Sequence, residues 1–237
     1  MKISVCMASY NGGLYIKEQI LSILKQLGKE DELIISDDGS SDTTSAIVQE
    51  INDSRVNFIL NNGKKGYTKN FENALEKASG DVIFLSDQDD VWVDNKVKVM
   101  LSHLEISDMV VSNATIVDSQ LKVIAKSHFH MYNVKKGFWN NFLKTRYIGA
   151  CMAFKRKVLD KALPFPENPK YCAHDYWLTI VGEAFYKISI EEVPLLLYRR
   201  HGKNASNGGN KSQNPLLFKV YVRIYTLFNL LKRMLRK

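Results

Sequence analysis

The sequence predicts an α/β fold in which helices cover both faces of a mostly parallel, Rossmann-like sheet, with one amphipathic helix added at the C-terminus. Short apolar runs alternate with segments of helical periodicity from residue 3 to residue 112. Polar clusters follow several of these runs directly, as they do at the ligand-binding edge of an open sheet. Beyond residue 215, apolar side chains recur every three or four positions. The alternation of strands and helices over residues 3–112 produces right-handed βαβ units.

Taken in order, five apolar runs are predicted strands, at 3–8, 32–36, 56–60, 81–85 and 109–112. The segments between them carry apolar residues at helical spacing, the first over 14–27. Gly80 is expected to end the third of these helices. Residues 1–112 therefore form one half of the predicted fold.

The pattern loosens after residue 112, where 113–200 is predicted to complete the same domain. A strand over 149–154, a helix over 156–163, a helix over 174–185 and two strand-like pieces within 187–199 are expected. Residues 201–214 have the composition of a linker. The segment 215–237 is the predicted amphipathic helix.

The net charge of +8 is unevenly distributed. Ten Lys and Arg residues follow Glu192 and no acidic residue does, so the preceding body is close to neutral. A nucleic-acid or polyanion binder should be basic across its fold, which argues against that class. The asymmetry instead indicates a tail that meets an anionic surface.

The three cysteines are far apart and form no CxxC pair. They are expected to be buried free thiols in a reducing compartment, and no zinc site is expected. The N-terminus shows no signal-peptide pattern, and no run of about 18 apolar residues occurs. We therefore expect a cytoplasmic protein, located at the inner face of the cell membrane.

Three polar clusters stand where predicted strands end: SYNGG at 9–13, DDGSSD at 37–42 and SDQDD at 86–90. The first two are also common turn sequences. The third is harder to explain as a turn, because crowding Asp87, Asp89 and Asp90 raises their pKa values and costs stability. A divalent cation removes that cost. Carboxylates favour Mg²⁺ or Mn²⁺, which is usually shared with substrate phosphates.

A known family pattern emerges when the motifs are taken together. In order, they are ISVCMASYNG, LIISDDGSSDTT, GDVIFLSDQDD, GACMAF, HDYWL and YRRHGKNAS. This series closely resembles glycosyltransferase family 2, whose members are inverting enzymes with the GT-A fold, and it covers about residues 1–206. The later motifs look most like the bacterial rhamnosyltransferase-like branch. The family's QxxRW motif of processive members is absent, which implies transfer of one sugar per encounter.

The resemblance implies a role for individual residues. Ser9, Tyr10 and Asn11 would line the nucleotide pocket, and Asp38 would bind the base. Asp87 would approach the ribose and the sugar, while Asp89 would hold the metal. Lys69 is the candidate for the family's basic contact on the third helix, although the usual Ala-Arg-Asn is here Thr-Lys-Asn. The two halves of the domain would bind the nucleotide-sugar (1–112) and the acceptor (113–200).

Asp175 falls where the family places its catalytic base, although the preceding residue is His174 rather than the usual Glu. A helix N-cap is the alternative role, because an apolar helix follows. Inversion needs such a base to take the proton of the acceptor hydroxyl, and a cation to neutralise the leaving diphosphate.

Two further residues follow the last predicted strand. His201 either completes the metal shell, contacts the diphosphate or does neither. Arg200 either contacts phosphate, which suits its planar fork, or is solvated.

The predicted function is metal-dependent transfer of a sugar from a UDP- or dTDP-sugar, with dTDP-rhamnose among the candidates, to a glycan or lipid-linked saccharide. A sugar-phosphate nucleotidyltransferase is the alternative enzyme. That class usually carries a basic, glycine-rich loop after its first strand, and SYNGGLY has no basic residue. A non-enzymatic polyanion-binding protein is the third hypothesis.

The C-terminal segment combines apolar spacing with basic side chains. A basic amphipathic helix is typical of an interfacial membrane anchor. The alternative is a helix packed on the body or on a second copy of the chain, as in a homodimer.

Overall fold

The computed structural model describes residues 1–202, 204 and 214–235. Its strands are β1 Ile3–Ser9, β2 Glu32–Asp37, β3 Val56–Leu60, β4 Val82–Asp87, β5 Val91–Trp92, β6 Met109–Val117, β7 Val123–Ala125, β8 Met152–Lys155 and β9 Ile188–Arg199. Its helices are α1 Ile16–Leu24, α2 Thr44–Ile51, α3 Tyr67–Lys77, α4 Lys96–Ile106, α5 His128–Tyr132, α6 Phe138–Lys144, α7 Arg156–Ala162, α8 His174–Phe185 and α9 Leu216–Leu235.

The described strands form one sheet in the order β3-β2-β1-β4-β8-β6-β9-β5, with β7 paired to β6. Strands β1 to β4 are parallel. Strand β8 pairs antiparallel with both β4 and β6, and β9 is parallel to β6. Consequently β6 and β9 run in the same direction as β1 to β4. The α/β class and the C-terminal helix are confirmed, and the second half of the sheet is mixed.

This topology gathers the polar clusters at one edge. In the register of β1, Ser9 lies beside Asp37 of β2, and Ala8 lies beside Asp87 of β4. Strand β9 ends at the same edge, because it shares the direction of β4. The sheet therefore brings residues 9, 37, 87 and 199 to one side of the molecule.

The core surrounds the strands. Val5, Cys6 and Met7 of β1 are fully buried, as are Ile34 and Ile35 of β2. Near-continuous apolar runs of this kind are expected of strands that are covered on both faces.

All three cysteines are free and buried, as predicted. Burial raises the pKa of Cys151 and of Cys172 to about 12. Thiols with such values are poor nucleophiles at neutral pH, so these residues serve packing.

Several boundaries differ from the sequence prediction. Residues 149–151 form a 3₁₀ turn before β8, and 188–199 is one strand rather than two pieces. The prediction that Gly80 caps α3 is wrong, because the helix already ends at Lys77. A Cβ at Gly80 would lie 2.6 Å from the backbone nitrogen of Ser4, so glycine is required there for close approach to β1.

Helix α9 packs on the body through one face. Val222, Thr226 and Leu230 are buried, and the hydroxyl of Tyr225 accepts a hydrogen bond from the Asn168 amide at 3.0 Å. Among the described residues, no helix is both long enough and apolar enough to cross a bilayer. The predicted linker 201–214 falls mainly outside the described residues, as do the last two residues of the predicted helix 215–237.

Candidate active site

A cavity of about 900 Å³ opens at the carboxyl ends of the strands. One side is formed by the ends of β1, β2 and β4 and by the start of α3. The other side is formed by residues 144–149, the start of α8 and Arg223 of α9. Of the predicted site residues, Ser9, Tyr10, Asp38, Asp87, Asp89 and Asp175 line it.

Asp89 lies against two polar side chains that come from the residues after β9. His201 Nε2 lies 2.9 Å from Asp89 Oδ2, and Asn204 Nδ2 donates to the same oxygen at 3.1 Å. The backbone amide of His201 donates to Asn204 Oδ1 at 2.6 Å, and its ring centroid lies 4.9 Å from that of Tyr15. The sequence prediction that Asp89 and His201 act together is thus consistent with their position.

A carboxylate oxygen is a typical ligand of Mn²⁺ and Mg²⁺, and an imidazole nitrogen beside it favours a transition metal such as Mn²⁺ over Mg²⁺. The described residues contain no group of three or more His, Cys, Asp or Glu side chains placed to hold a metal ion. Two protein ligands suit a cation whose remaining ligands come from substrate phosphates and water. The donor set therefore fits a metal that binds together with a diphosphate.

Of the other two carboxylates of the cluster, Asp90 is buried and Asp87 is half-buried. Burial and the charges of Asp89 and Asp175 raise the pKa of Asp87 to about 7. Burial, together with Asp89 and Asp87, also raises the pKa of Asp90 well above its usual range. Asp90 Oδ1 accepts the Arg199 backbone amide at 2.9 Å, whereas Oδ2 has no hydrogen-bond partner in the described part of the chain.

Lys96 supplies a buried positive charge that acts on Asp87 and Asp90. Its Nζ donates to the Ala150 carbonyl at 2.8 Å and lies 4.9 Å from the ring centroid of Trp92. Burial lowers the pKa of Lys96 to about 8, although Asp90 and Asp87 act in the opposite direction. A single lysine thus offsets part of the charge that three aspartates bring.

Arg199 fixes the loop that carries Asp89, a role that no local pattern in the sequence indicates. It is buried, and its Nε donates to the Asp89 carbonyl at 2.7 Å. Its Nη1 donates to the Ser119 carbonyl at 2.8 Å, and its Nη2 to Glu18 Oε2 at 2.5 Å. The guanidinium also lies 4.5 Å from the Tyr15 ring centroid. One side chain therefore links β9, the loop that carries Asp89, α1 and the turn after β6.

Asp38, the predicted base contact, lies on one side of the cavity. Its Oδ1 accepts Asn61 Nδ2 at 2.7 Å, and its Oδ2 accepts the Gly66 amide at 2.6 Å. Lys65 Nζ lies 4.0 Å from Oδ1. These contacts orient the carboxylate, and Lys65 and Asn61 were not singled out from sequence.

The side-chain polar atoms of Ser9 and Asn11 make hydrogen bonds within the protein. Ser9 Oγ donates to Asp37 Oδ1 at 2.8 Å, and Asp37 Oδ2 accepts the Ser40 amide. Asn11 Oδ1 accepts the Ser41 amide at 2.9 Å, and its φ of 48° lies in the left-handed region. Asn11 shapes the loop and is not among the described cavity-lining residues.

Tyr10 is held by a reciprocal pair of bonds to Gln88. Its amide donates to Gln88 Oε1 at 2.9 Å, and Gln88 Nε2 donates to its carbonyl at 3.0 Å. The loop after β1 and the loop after β4 are thereby tied together. The Tyr10 side chain remains 58% exposed, which leaves its ring available to a ligand.

Asp175 lies in the first turn of α8, and Ala173 occupies the N-cap position. The N-cap role considered from sequence is therefore not the one Asp175 fills. Its Oδ1 accepts the Tyr176 amide at 2.7 Å. The charge of Asp175 contributes to the raised pKa of Tyr67, whose main cause is burial. The carboxylate thus stands between α3 and α8, on the wall of the cavity.

Lys69 and Arg200 were predicted to contact the donor, and both lie against other side chains of the protein. Lys69 Nζ donates to Glu72 Oε2 at 2.5 Å, and neither Lys69 nor Arg200 is among the described cavity-lining residues. The Arg200 guanidinium lies 5.9 Å from the Tyr198 ring centroid. Basic side chains that do line the cavity are Lys65, Lys144, Arg146 and Arg223.

The sheet order and the edge cavity are those of the GT-A glycosyltransferases. The model of the family described as "Glycosyl transferase family 2" matches residues 4–163, and the chain belongs to this family. It is accordingly a glycosyltransferase.

Curated relatives extend the similarity beyond that region. The chain is 30% identical over 96% of its length to the Escherichia coli UDP-Glc:alpha-D-GlcNAc-diphosphoundecaprenol beta-1,3-glucosyltransferase WfgD, and the match covers 91% of that protein. It is 30% identical over 84% of its length to the dTDP-rhamnosyl transferase RfbG of Shigella flexneri, covering 72% of that protein.

Solved structures share the fold. S. aureus TarS 1-349 in complex with UDP-GlcNAc superimposes with a TM-score of 0.73 at 20% identity, over 97% of this chain and 67% of that one. The mannosyltransferase PcManGT from Pyrobaculum calidifontis, in complex with GDP-Man and Mn2+, gives 0.62 at 16% identity, over 99% and 75%.

Proposed function

We propose that the protein is a metal-dependent inverting glycosyltransferase that moves a sugar from a UDP- or dTDP-sugar to a lipid-linked saccharide during the synthesis of a bacterial surface polysaccharide. The observation that carries this proposal is the pairing of Asp89 with His201 at 2.9 Å. Asp89 and Asp175 line the same cavity, whereas His201 is not among its described lining residues. The names of the E. coli and S. flexneri relatives support the donor and acceptor classes.

In this proposal the donor lies along the carboxyl ends of β1, β2 and β4. Asp38, oriented by Asn61 and Gly66, accepts hydrogen bonds from the base. Tyr10 packs against the nucleoside, and Asp87 accepts from the ribose or the sugar. Ser9 and Asn11 hold the loops, so we assign them to positioning rather than to contact.

Asp89 and His201 would hold the cation. A bound Mg²⁺ or Mn²⁺ would place positive charge at the leaving diphosphate and act there as a Lewis acid. Arg199 holds the Asp89 backbone in place through the bond from its Nε.

The transfer is a single displacement. An acceptor hydroxyl attacks the anomeric carbon, and the bond between that carbon and the diphosphate oxygen breaks on the opposite face. The hydroxyl proton passes to the carboxylate of Asp175, and the electron pair of the broken bond leaves with the nucleoside diphosphate. A glycosidic bond of inverted configuration forms without any oxidant or reductant. Removal of the proton by a positioned base contributes about 10²–10⁴-fold in rate.

A screen of sugar nucleotides tests this proposal. UDP-, dTDP- and GDP-sugars are incubated with the protein and Mn²⁺, and the release of nucleoside diphosphate is measured with and without a membrane-lipid extract. We expect release from at least one UDP- or dTDP-sugar, and loss of release when EDTA is added. Release that persists undiminished in EDTA would contradict metal dependence, and no release from any donor would contradict the proposal as a whole.

We further propose that α9 binds the inner face of the cell membrane. Its outward face exposes Leu216, Leu217, Val220, Tyr221, Ile224, Leu227, Phe228, Leu231, Met234 and Leu235. Basic side chains accompany this face, among them Lys219 and Lys232. An apolar face flanked by lysine and arginine is typical of helices that lie in the membrane interface, and each basic residue near anionic lipid contributes about 1 kcal/mol.

Sedimentation with phosphatidylglycerol vesicles tests the membrane proposal. The double variant Ile224→Glu/Phe228→Glu should lose most of its vesicle binding. The control Val123→Glu/Ile124→Glu changes two equally exposed apolar residues on β7 and should bind as the parent does. Absence of vesicle binding in the parent would overturn the proposal. If light scattering shows that the parent is a dimer and that the α9 double variant is a monomer, this face would instead bind a second copy of the chain.

A further inference from the structure

Three cationic side chains line the cavity on the side away from the loop that carries Asp89. Lys144 ends α6, Arg146 follows it, and Arg223 extends from α9. In the described part of the chain, no carboxylate lies within 4.0 Å of any of the three. Positive side chains that share a cavity without an acidic partner favour an anionic ligand.

Backbone contacts fix the two guanidinium groups. Arg223 Nη2 donates to the Leu143 carbonyl at 2.6 Å, and its guanidinium carbon lies 5.1 Å from the ring centroid of Tyr176. Arg146 Nη1 donates to the Asn133 carbonyl at 3.1 Å. Each arginine carries five N–H donors, so these bonds position the group and leave further donors for a ligand. The planar fork suits the oxygens of a phosphate.

This cluster is separate from the proposed donor position. The donor residues come from the ends of β1, β2 and β4, and their diphosphate would be neutralised at Asp89. The cationic residues come from 144–146 and α9. Asp175 lies between the two groups. On the donor side, its charge contributes to the raised pKa of Tyr67 in α3. On the cationic side, a Cβ built at Gly149 would lie 3.5 Å from the Asp175 Cβ. An anion bound at the cluster would therefore face the base from the acceptor side.

The neighbourhood also specifies what the anion is attached to. Arg223 lies on the helix that exposes a continuous apolar face, next to Ile224 (62% exposed) and Tyr221 (51% exposed). A ligand with a phosphate in the cavity and a hydrocarbon chain along α9 would satisfy both features at once. A free sugar or a neutral glycan would use neither.

We propose that Lys144, Arg146 and Arg223 form a subsite for the diphosphate of a lipid-linked sugar acceptor, an inference that rests on the proposed function. The subsite holds the acceptor by the group that joins sugar to lipid. The sugar is then directed toward Asp175, and the lipid lies along α9.

Calorimetric titration with hexyl diphosphate tests the subsite without donor, transfer or vesicles. In EDTA, we expect the full chain to bind hexyl diphosphate and not hexyl glucoside, which has the same tail but no charge. Arg146→Gln and Arg223→Gln should each weaken binding about tenfold, the usual effect of losing a charge-assisted hydrogen bond. Lys232→Gln also removes one charge from α9 and should stay within about twofold of the parent. Arg146→Lys keeps the charge and should lose less than Arg146→Gln.

Several results would overturn the subsite. They are absence of hexyl diphosphate binding, equal binding by parent and variants, or equal loss in Lys232→Gln. Displacement of hexyl diphosphate by UDP with Mn²⁺ would assign the cluster to the donor diphosphate. The titration measures binding and requires no catalysis. A failure of the donor screen would therefore contradict the proposed function without affecting the binding result, and the two proposals can fail separately.

Discussion

His201 Nε2 lies 2.9 Å from Asp89 Oδ2, although 112 positions separate the two residues in sequence. The sheet produces this pairing, because β9 runs parallel to β6 and ends at the edge where β4 ends. The loop after β4 then meets the residues that follow β9. The proposed cation site is assembled from these two loops, so it depends on the register of both strands and on Arg199, which joins the loops.

The first prediction concerns metal-dependent stabilisation. A nucleoside diphosphate with Mn²⁺ at about 100 times its Kd should stabilise the fold by about 2.7 kcal/mol, which raises Tm by roughly 5–10 °C. Asp89→Asn removes the charge that the cation needs and should abolish the Mn²⁺-dependent part of this shift. Differential scanning calorimetry with UDP and with dTDP measures it. An Asp89→Asn shift equal to that of the parent would contradict the role of Asp89.

The second prediction concerns Arg199. Arg199→Met keeps much of the packing against Tyr15 but removes the donors to the Asp89 carbonyl and to Glu18. Groups that orient a metal ligand typically contribute 10–100-fold in metal affinity. We therefore expect the Mn²⁺ concentration for half-maximal UDP binding to rise by that factor.

Arg156→Met serves as the control for the loss of one partly buried arginine, since Arg156 bonds the carbonyls of Ala78 and Gly80 away from the cavity. Its Mn²⁺ requirement should match that of the parent. If both variants lose stability but Arg199→Met keeps the Mn²⁺ requirement of the parent, Arg199 has only a structural role.

The third prediction separates binding from chemistry. Asp175→Asn is nearly isosteric, and its side-chain oxygen still accepts the Tyr176 amide. Donor affinity should remain within about threefold, while kcat for transfer falls about 10²–10⁴-fold, as is typical for loss of a general base. Titration calorimetry and steady-state kinetics provide the two values. Transfer at the parental rate would remove Asp175 from the base role.

The fourth prediction is a pH dependence of stability. His174 is buried, stacked on Phe71 at 4.2 Å between ring centroids, and burial lowers its pKa even though Asp175 acts in the opposite direction. The folded state thus binds fewer protons than the unfolded chain, whose histidine has a pKa of about 6.5. The His174 contribution to stability should be fully present above that pH and should fall as the pH drops below it, by at most about 1.4 kcal/mol per unit. The raised pKa values of Asp87 and Asp90 contribute in the opposite direction, so the His174 contribution is read from the difference between parent and variant.

Urea denaturation between pH 5.5 and 7.5 measures this slope. His174→Gln should lower the increase of stability with pH relative to the parent, whereas His130→Gln, at an exposed position, should leave the slope unchanged. His128 also has a pKa lowered by burial, so part of the slope should remain in His174→Gln. An identical slope in the parent and in His174→Gln would show that this residue is not buried in its neutral form.

Much of the first half of the fold could be predicted, because buried strands and amphipathic helices leave different periodicities in the sequence. Asp87 and Asp89 could be recognised locally, since three carboxylates after an apolar run are unfavourable without a cation. Asp175 needed the family resemblance, because its local sequence also suits a helix cap. The start of α8 at His174 then set that alternative aside.

The remaining site residues depend on contacts that no local pattern records. Arg199 and Arg200 are adjacent and chemically alike, yet Arg199 is buried because β9 directs it toward Asp89 and Glu18. Lys69, the basic contact that the family resemblance implies, forms an ion pair with Glu72, which its local sequence does not reveal. Arg223 reaches the cavity through the docking of α9, a packing event whose partner surface the sequence of the helix does not reveal.

The most direct measurement of the central claim is the position of manganese in crystals soaked with MnCl₂ and UDP, located from anomalous scattering. The account predicts one strong peak within bonding distance of Asp89 Oδ2 and His201 Nε2, with the diphosphate of UDP completing its coordination. A diphosphate bound in the cavity with no manganese beside Asp89, or manganese bound elsewhere, would contradict it.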